Sequence, residues 1–216
     1  MNPGKDIHNL RTDYSQQALD ESQADASPFG LFSQWMHEAL QNNVAEPNAI
    51  SLSTTSLEGR PSSRIVLLRE YSEEGFIFYT NYNSRKSIEI ANNPFVSFLL
   101  FWPGLERQVR VEGKAHKASV AKSDTYFKSR PKASQIGAWA SSQSEAIVSR
   151  EELDEKVRLL SAQYKDQDVP RPDFWGGWVI IPHYFEFWQG RSNRLHDRLA
   201  YNLEQTQQWV IKRLSP

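Results

Sequence analysis

Residues 49–80 read AISLSTTSLEGRPSSRIVLLREYSEEGFIFYT, and the period of this stretch decides the fold. AISLSTTS alternates apolar and polar side chains, as a strand with one buried face does. Leu57-Glu58-Gly59-Arg60-Pro61 carries turn residues, SSRIVLLRE reads as a second strand, and Gly75–Thr80 as a third. Strands joined by short turns pair with their neighbours in sequence, which predicts an antiparallel meander. Further strands are predicted at Pro94–Phe101 and Arg107–Ala115, linked through Pro103-Gly104. A last group covers Gly177–Ile181, Tyr184–Gln189, Arg198–Asn202 and Gln208–Lys212. This many short strands predicts a mostly β fold that closes into a barrel with flanking helices. Helical spacing opens at Pro28, where Phe29, Phe32, Trp35, Met36 and Leu40 make one apolar face. Helices are also expected at Asn83–Asn92, with Ser84 placed to cap, and at Ser119–Lys128, Pro131–Ala138 and Arg150–Tyr164. No GxGxxG follows a strand, which argues against a Rossmann dinucleotide fold.

The 216 residues suffice to bury a core without staples. Residues 1–27 are polar and lack periodicity, so they are expected to be a mobile arm before a single domain over 28–216. Acids and bases nearly cancel to a net charge of −1, and nothing points to nucleic acid or a membrane surface. Cysteine is absent. That excludes disulfides, thiolate nucleophiles, thiolate metal ligands and cysteinyl-linked flavin. The amino-terminal segment has no apolar core of the secretory kind, and no run approaches the ~20 apolar residues of a membrane helix. A cytoplasmic location is therefore expected. Seven Trp, eight Tyr and eleven Phe suit a protein that packs a planar aromatic ligand; an aromatic-rich β core reads the same way.

Trp188–Arg198, WQGRSNRLHDR, carries the densest chemistry. In an extended strand Arg194, His196 and Arg198 share one face, with Leu195 and Asp197 on the other. Such a face is either a charged edge that discourages aggregation or an array of donors for an anion or an electron-rich ring. The aromatic lead-in Phe185-Glu186-Phe187-Trp188 supplies walls for the second reading. The five histidines at 8, 37, 116, 183 and 196 show no metal-binding spacing, and Glu151, Glu152, Asp154 and Glu155 read as the solvated face of a helix.

Six motifs occur in order: RIVLLR (Arg64–Arg69), SRK (Ser84–Lys86), ERQV (Glu106–Val109), SRPxxSQIGAW (Ser129–Trp139), FWGG (Phe174–Gly177) and WQGxxxRLHDR (Trp188–Arg198). Together they resemble the pyridoxine (pyridoxamine) 5′-phosphate oxidase family, from about Arg11 to Pro216. The resemblance implies an FMN-binding split β-barrel and a homodimer with flavin between the subunits. It implies oxidation of pyridoxine 5′-phosphate or pyridoxamine 5′-phosphate to pyridoxal 5′-phosphate, with molecular oxygen reduced to hydrogen peroxide. Implied flavin contacts are Arg64, Ile65, Val66, Leu67, Leu68, Arg69, Tyr79, Thr80, Arg85, Lys86, Gln108, Gln143, Ser144, Trp188 and Arg198. On the substrate side they are Arg11, Thr12, Asp13 and Tyr14 of the arm, then Arg69, Tyr126, Arg130, Ser134, Arg194, Leu195 and His196. Arg194 and His196 match the positions that hold the substrate's pyridine ring.

The residue chemistry is compatible with these roles without forcing them. Arg64, Arg85 and Lys86 suit a phosphate, Arg as a planar fork and Lys as a compact charge; each is also an ordinary surface charge. Gln108 offers donor and acceptor together, as a flavin edge or a barrel-lining network requires. Pro131 disfavours a helical Arg130 and opens a new helix. Ser134 would then sit in that helix's first turn, where an anion could meet Tyr126, Arg130 and Ser134 together; the alternative is a simple cap with Tyr126 in the core. Arg69 stands where the family motif usually has Lys. It also has the opposite strand parity to Arg64, so it lies past the strand's end or the two serve different ligands or subunits. His196 could accept a proton or only hydrogen-bond the substrate's ring hydroxyl.

Overall fold

A computed structural model describes residues 13–216. Its helices are α1 (Pro28–Gln41), α2 (Arg85–Asn92), α3 (Val120–Ser129), α4 (Lys132–Ala140) and α5 (Arg150–Gln163). Its strands are β1 (Ala49–Thr55), β2 (Pro61–Ser72), β3 (Gly75–Asn81), β4 (Phe95–Trp102), β5 (Arg107–Lys117), β6 (Trp175–Gln189), β7 (Asp197–Leu203) and β8 (Trp209–Arg213). They pair in the order β3-β2-β1-β4-β5-β6-β7-β8, and β3 pairs again with β6. That second pairing closes six strands into a barrel and removes two open edges. The predicted barrel with flanking helices is what the chain forms. Among the described residues no helix is long and apolar enough to cross a membrane.

The chain divides into two compact units. The first comprises Asn48–Phe98 and Glu112–Pro182. Here β1 and β2 form the expected hairpin, in register from Ala49↔Leu67 to Thr55↔Pro61. β2 and β3 pair from Ser72↔Gly75 to Leu68↔Phe78, but the register slips by one between Leu68 and Glu70. Arg69 is the extra residue, a β-bulge. β3 runs against β6 from Phe76↔Ile180 to Asn81↔Trp175. The double glycine of FWGG is what lets neighbouring rings approach β6. A Cβ on Gly177 would meet the Tyr79 ring at 2.9 Å, and one on Gly176 would meet Tyr82 Oη and the Ser123 hydroxyl. Gly177→Ala is therefore expected to push the Tyr79 ring out of place while leaving the fold intact. The near-ultraviolet dichroism of the aromatic rings should change with an unchanged far-ultraviolet spectrum; an unchanged near-ultraviolet spectrum would show that the ring tolerates the shift.

The second unit comprises residues 13–47, 99–111 and 183–216 within the described chain. Ser27 caps α1, accepting from the Phe29 N–H, and Pro28 occupies the first turn. The helix buries Phe29, Leu31, Phe32, Trp35, Met36 and Ala39. Leu40, counted with the apolar face from its spacing, is 57 % exposed, because Ala39 takes the inward position one step earlier on the 100° wheel. Edge-on ring contacts join Trp35 to Phe187 and Phe29 to Phe185, each at 5.3 Å. Residues 13–27, read as a mobile arm, make specific contacts where they are described. Leu19 is buried, its N–H donates to Asp197 Oδ2 (3.1 Å), and Tyr201 Oη donates to the Asp25 carbonyl (3.1 Å). β6 continues unbroken through Pro182, where two strands were expected. A proline inside a strand forfeits one N–H bond but does not end the extended backbone.

Candidate functional site

β2, β3, α2 and α3 surround a cavity of about 680 Å³ in the first unit. Its lining includes Arg64, Arg69, Arg85, Lys86 and Arg130, and no carboxylate. Ile65, Val66, Leu67, Tyr79, Thr80, Tyr126, Gln143 and Ser144 complete most of the set expected there from the sequence; Ser62, Ser63 and Trp175 are additions. Arg64 and Arg69 border the same cavity despite their opposite strand parity, because its lining takes residues of both parities along β2, Ser63, Ile65 and Leu67 among them; Arg69 itself stands at the bulge. β2 also continues to Ser72, so Arg69 is not past its end. Leu68 departs from the expected set: its side chain is buried in the core, its N–H donates to the Asn48 carbonyl and its carbonyl accepts from Asn48 Nδ2.

Carboxylates stand behind the lining and organise it. Glu89, buried on α2, accepts from Ser62 Oγ (2.7 Å), Arg85 Nε (2.9 Å), Arg64 (3.3 Å) and the Thr54 hydroxyl. Burial alone would push this carboxyl up; the bonds from Thr54, Ser62 and Arg85 overcome it and hold it at about 2. Glu89 is thus ionised at any working pH and fixes the Arg64 fork. The sequence signal for it was present, since Arg85 and Glu89 lie four apart on one helix face. Lys86 is different. Only 6 % exposed, its Nζ donates to Thr80 Oγ1 (3.0 Å) and Ser84 Oγ (3.1 Å), both neutral hydroxyls. Thr80 in turn donates to Gln143 Oε1 (3.1 Å). Burial, with Arg64 adding like-charge repulsion, lowers the Lys86 ammonium to about 8. Ser84 starts α2 as expected but makes no side-chain cap; its hydroxyl donates to the Asn81 carbonyl and accepts from Lys86.

An aromatic slab forms another wall. Tyr79 and Tyr126 stack at 3.8 Å and 14°, and Trp175 lies nearly parallel to both. Arg130 places its guanidinium 4.6 Å from the Trp175 ring centroid. The α3–α4 break falls where Pro131 demands it, with Arg130 extended (φ −74, ψ 147). Gln135, a residue with no role assigned from sequence, turns back from α4 to donate to the carbonyls of Phe127, Lys128 and Arg130, fixing that corner. Arg130 Nη1 is buried without a hydrogen-bond partner. Burial and the nearby Arg69 both lower the Arg130 pKa. Ser134 borders a smaller recess of about 290 Å³, which shares Arg130, Gln143 and Trp175 with the main cavity.

The remaining expected residues gather in the second unit. The alternation predicted for Arg194, His196 and Arg198 is not observed. Ser192–Arg194 is a 3₁₀ turn with Asn193 and Arg194 in the left-handed region (φ 57 and 62), and β7 begins only at Asp197. His196 Nδ1 accepts from the Arg191 N–H (3.1 Å). Its ring lies 4.6 Å from Trp188 and 5.9 Å from Tyr14. Burial, then the charge of Arg194, lowers its pKa. Arg198 donates through Nε to Glu186 Oε1 (2.8 Å), whose other oxygen accepts from Tyr184 Oη (3.1 Å) and pairs with Arg110 (2.9 Å). Burial would raise the Glu186 carboxyl, yet the bond from Arg198 and the charge of Arg110 hold it low. Gln108 is half-buried on β5, on the face of Arg110 and Glu112. Asp13 and Leu195 are exposed; Arg11 and Thr12 lie outside the described residues.

Two family models match the chain: pyridoxamine 5′-phosphate oxidase over residues 36–164, and the pyridoxine 5′-phosphate oxidase C-terminal dimerisation region over residues 175–216. The chain belongs to the pyridoxine/pyridoxamine 5′-phosphate oxidase family. Members so named from Cyanothece and Mannheimia succiniciproducens are each 51 % identical. They align over 97 % and 98 % of this chain, and over 98 % and 99 % of their own lengths. PhzG from Burkholderia lata, solved with tetrahydrophenazine-1-carboxylic acid, superposes with a TM-score of 0.88 at 30 % identity, covering 94 % of this chain and 99 % of its own. An FMN-binding protein from Nostoc punctiforme shares the fold at a TM-score of 0.71 and 16 % identity, over 89 % of this chain and all of its own. This oxidase is accordingly an oxidoreductase with a split β-barrel, and its carboxy-terminal region, which holds the His196 cluster, is the family's dimerisation region.

Proposed function

We propose that this oxidase binds FMN and converts pyridoxine 5′-phosphate and pyridoxamine 5′-phosphate to pyridoxal 5′-phosphate, in a homodimer whose flavin sites take residues from both chains. One observation carries the ligand assignment: five cations and no carboxylate line a single cavity beside an aromatic slab. The cations fall into two groups by mutual influence. Arg64 acts on Lys86 and Arg85 on Arg64, whereas Arg69 acts on Arg130. Two phosphates, one on a flavin and one on a pyridine, call for two such groups. The buried Lys86 ammonium and the partnerless Arg130 Nη1 both fit an arriving oxyanion.

FMN, when bound, would supply the two-electron redox chemistry between the vitamer and oxygen. The alcohol loses two electrons and two protons to become the aldehyde, and oxygen gains both to become hydrogen peroxide. With the amine, water is also consumed and ammonia released. Arg64, Arg85 and Lys86 anchor the cofactor phosphate; Arg69, Arg130 and Tyr126 anchor the substrate phosphate. Arg194 and His196 hold the pyridine ring, so that proximity supplies most of the rate. The Arg191 N–H occupies Nδ1 of His196, so a neutral ring carries its proton on Nε2. His196 then donates a hydrogen bond to the substrate's ring oxygen, and its lowered pKa keeps it neutral at pH 7.

Flavin extraction followed by oxygen uptake on adding pyridoxine 5′-phosphate tests the proposal. Binding of the vitamer without oxygen consumption would make the protein a carrier instead. Arg194→Ala is expected to cut kcat/KM by about a hundredfold or more, the loss of a charged contact of ~3 kcal/mol, while flavin stays bound. Wild-type turnover in that variant would remove Arg194 from the site.

A further inference from the structure

We infer that Glu106 is a positioning residue that latches the amino-terminal strap so that Tyr14 packs on Trp188 and His196. The inference rests on the oxidase reading for its effect on turnover, but its geometry stands apart from that reading. Glu106 closes the turn after Pro103–Leu105 in left-handed backbone (φ 54), and it is only 6 % exposed. Oε2 of its carboxylate accepts the N–H groups of both Ser15 (2.9 Å) and Gln16 (3.0 Å), ninety positions away in sequence. A buried carboxylate that accepts two backbone donors is a strong tether, because releasing either N–H leaves a charge poorly solvated.

The same residue reaches the His196 loop through its backbone, as the Glu106 carbonyl accepts from the Gly190 N–H (2.7 Å). Tyr14 fills the space between. Its ring lies edge-on to Trp188 at 5.7 Å and near His196 at 5.9 Å, and its carbonyl accepts from Ser192 Oγ (3.2 Å). Gly190 leaves the room: a Cβ there would stand 2.7 Å from the Tyr14 ring. The Glu106 side chain thus acts on the ring-holding residues through Tyr14, and Gly190 is the second determinant of that placement.

The test uses the flavin-loaded full chain with Glu106→Ala, Glu106→Gln, Gly190→Ala and Tyr14→Ala, singly and with Tyr14→Ala as the second change. Chymotrypsin cuts after tyrosine, so cleavage at Tyr14–Ser15 reads the latch without reference to activity. Glu106→Ala should be cut at least about tenfold faster than wild type, the loss of two tethering bonds. Its KM for pyridoxine 5′-phosphate should rise about tenfold with kcat within about twofold. Glu106→Gln should recover most of both, since its amide oxygen still accepts. Gly190→Ala should reproduce the KM rise, and neither change should add to Tyr14→Ala. Unchanged cleavage in Glu106→Ala, or KM effects that multiply in the double variants, would overturn the latch. Gly190→Ala decides the point should Glu106→Ala not fold. A wild-type protein that takes up no oxygen would sink the oxidase reading alone, and the cleavage rates would still judge the latch.

Discussion

Lys86→Met is expected to make the flavin-free protein more stable and to weaken FMN binding by about two to three orders of magnitude, the loss of one buried charged phosphate contact. Both effects have one cause. Lys86 is buried among hydroxyls, and its ammonium is lowered from 10.5 to about 8. At about 1.4 kcal/mol per unit, that represents on the order of 3 kcal/mol against the charged form in the flavin-free fold. Methionine fills similar volume without the charge, though it forfeits two hydrogen bonds, so a net gain of about 1–2 kcal/mol is expected. The pH dependence has a definite sign. Between about pH 8 and 10.5 the unfolded chain holds a proton on Lys86 that the fold has released. Stability of the flavin-free protein therefore rises with pH across that window, and below about 8 the penalty is complete. Flavin affinity should fall over the same window, because the phosphate needs the ammonium. Thermal melts of flavin-free wild type and variant against pH, with fluorescence titration of FMN, measure both. A variant that melts lower and binds FMN as tightly as wild type would show that Lys86 serves the fold and not the anion.

Arg130→Met should raise KM for pyridoxine 5′-phosphate by about two to three orders of magnitude while flavin remains bound. Its guanidinium is held by the Trp175 ring and the α3–α4 corner, with Nη1 buried and unpartnered. Methionine keeps the contact with Trp175 and removes the orphan donor, so the melting temperature should not fall. Unphosphorylated pyridoxine provides the control, since it lacks the group that Arg130 is assigned to hold. Whatever turnover it supports should be the same in variant and wild type. An equal loss on both substrates would place Arg130 elsewhere in the reaction.

The sequence by itself determined the strand and helix inventory, except that it divided the long β6 into two strands. Period-two alternation over residues 49–80, the Pro131 break and the helical face beginning at Pro28 are local signals, set by side-chain direction and by proline's missing N–H. The family resemblance, not periodicity or spacing, grouped most of the residues that line the cavity. Three features waited for the tertiary structure. The bulge at Arg69 depends on how β2 meets β3, and no parity count within β2 alone can show an inserted residue. The left-handed turn at Asn193 and Arg194 broke the alternation assumed for His196, because a loop closing on Gly190 and Glu106 overrides strand geometry. Glu89, Glu186 and Glu106 also take partners distant in the chain, Arg64, Arg198 and Ser15, which local spacing does not show. Local periodicity fixes which way a side chain faces; only pairing across the fold decides what it meets there.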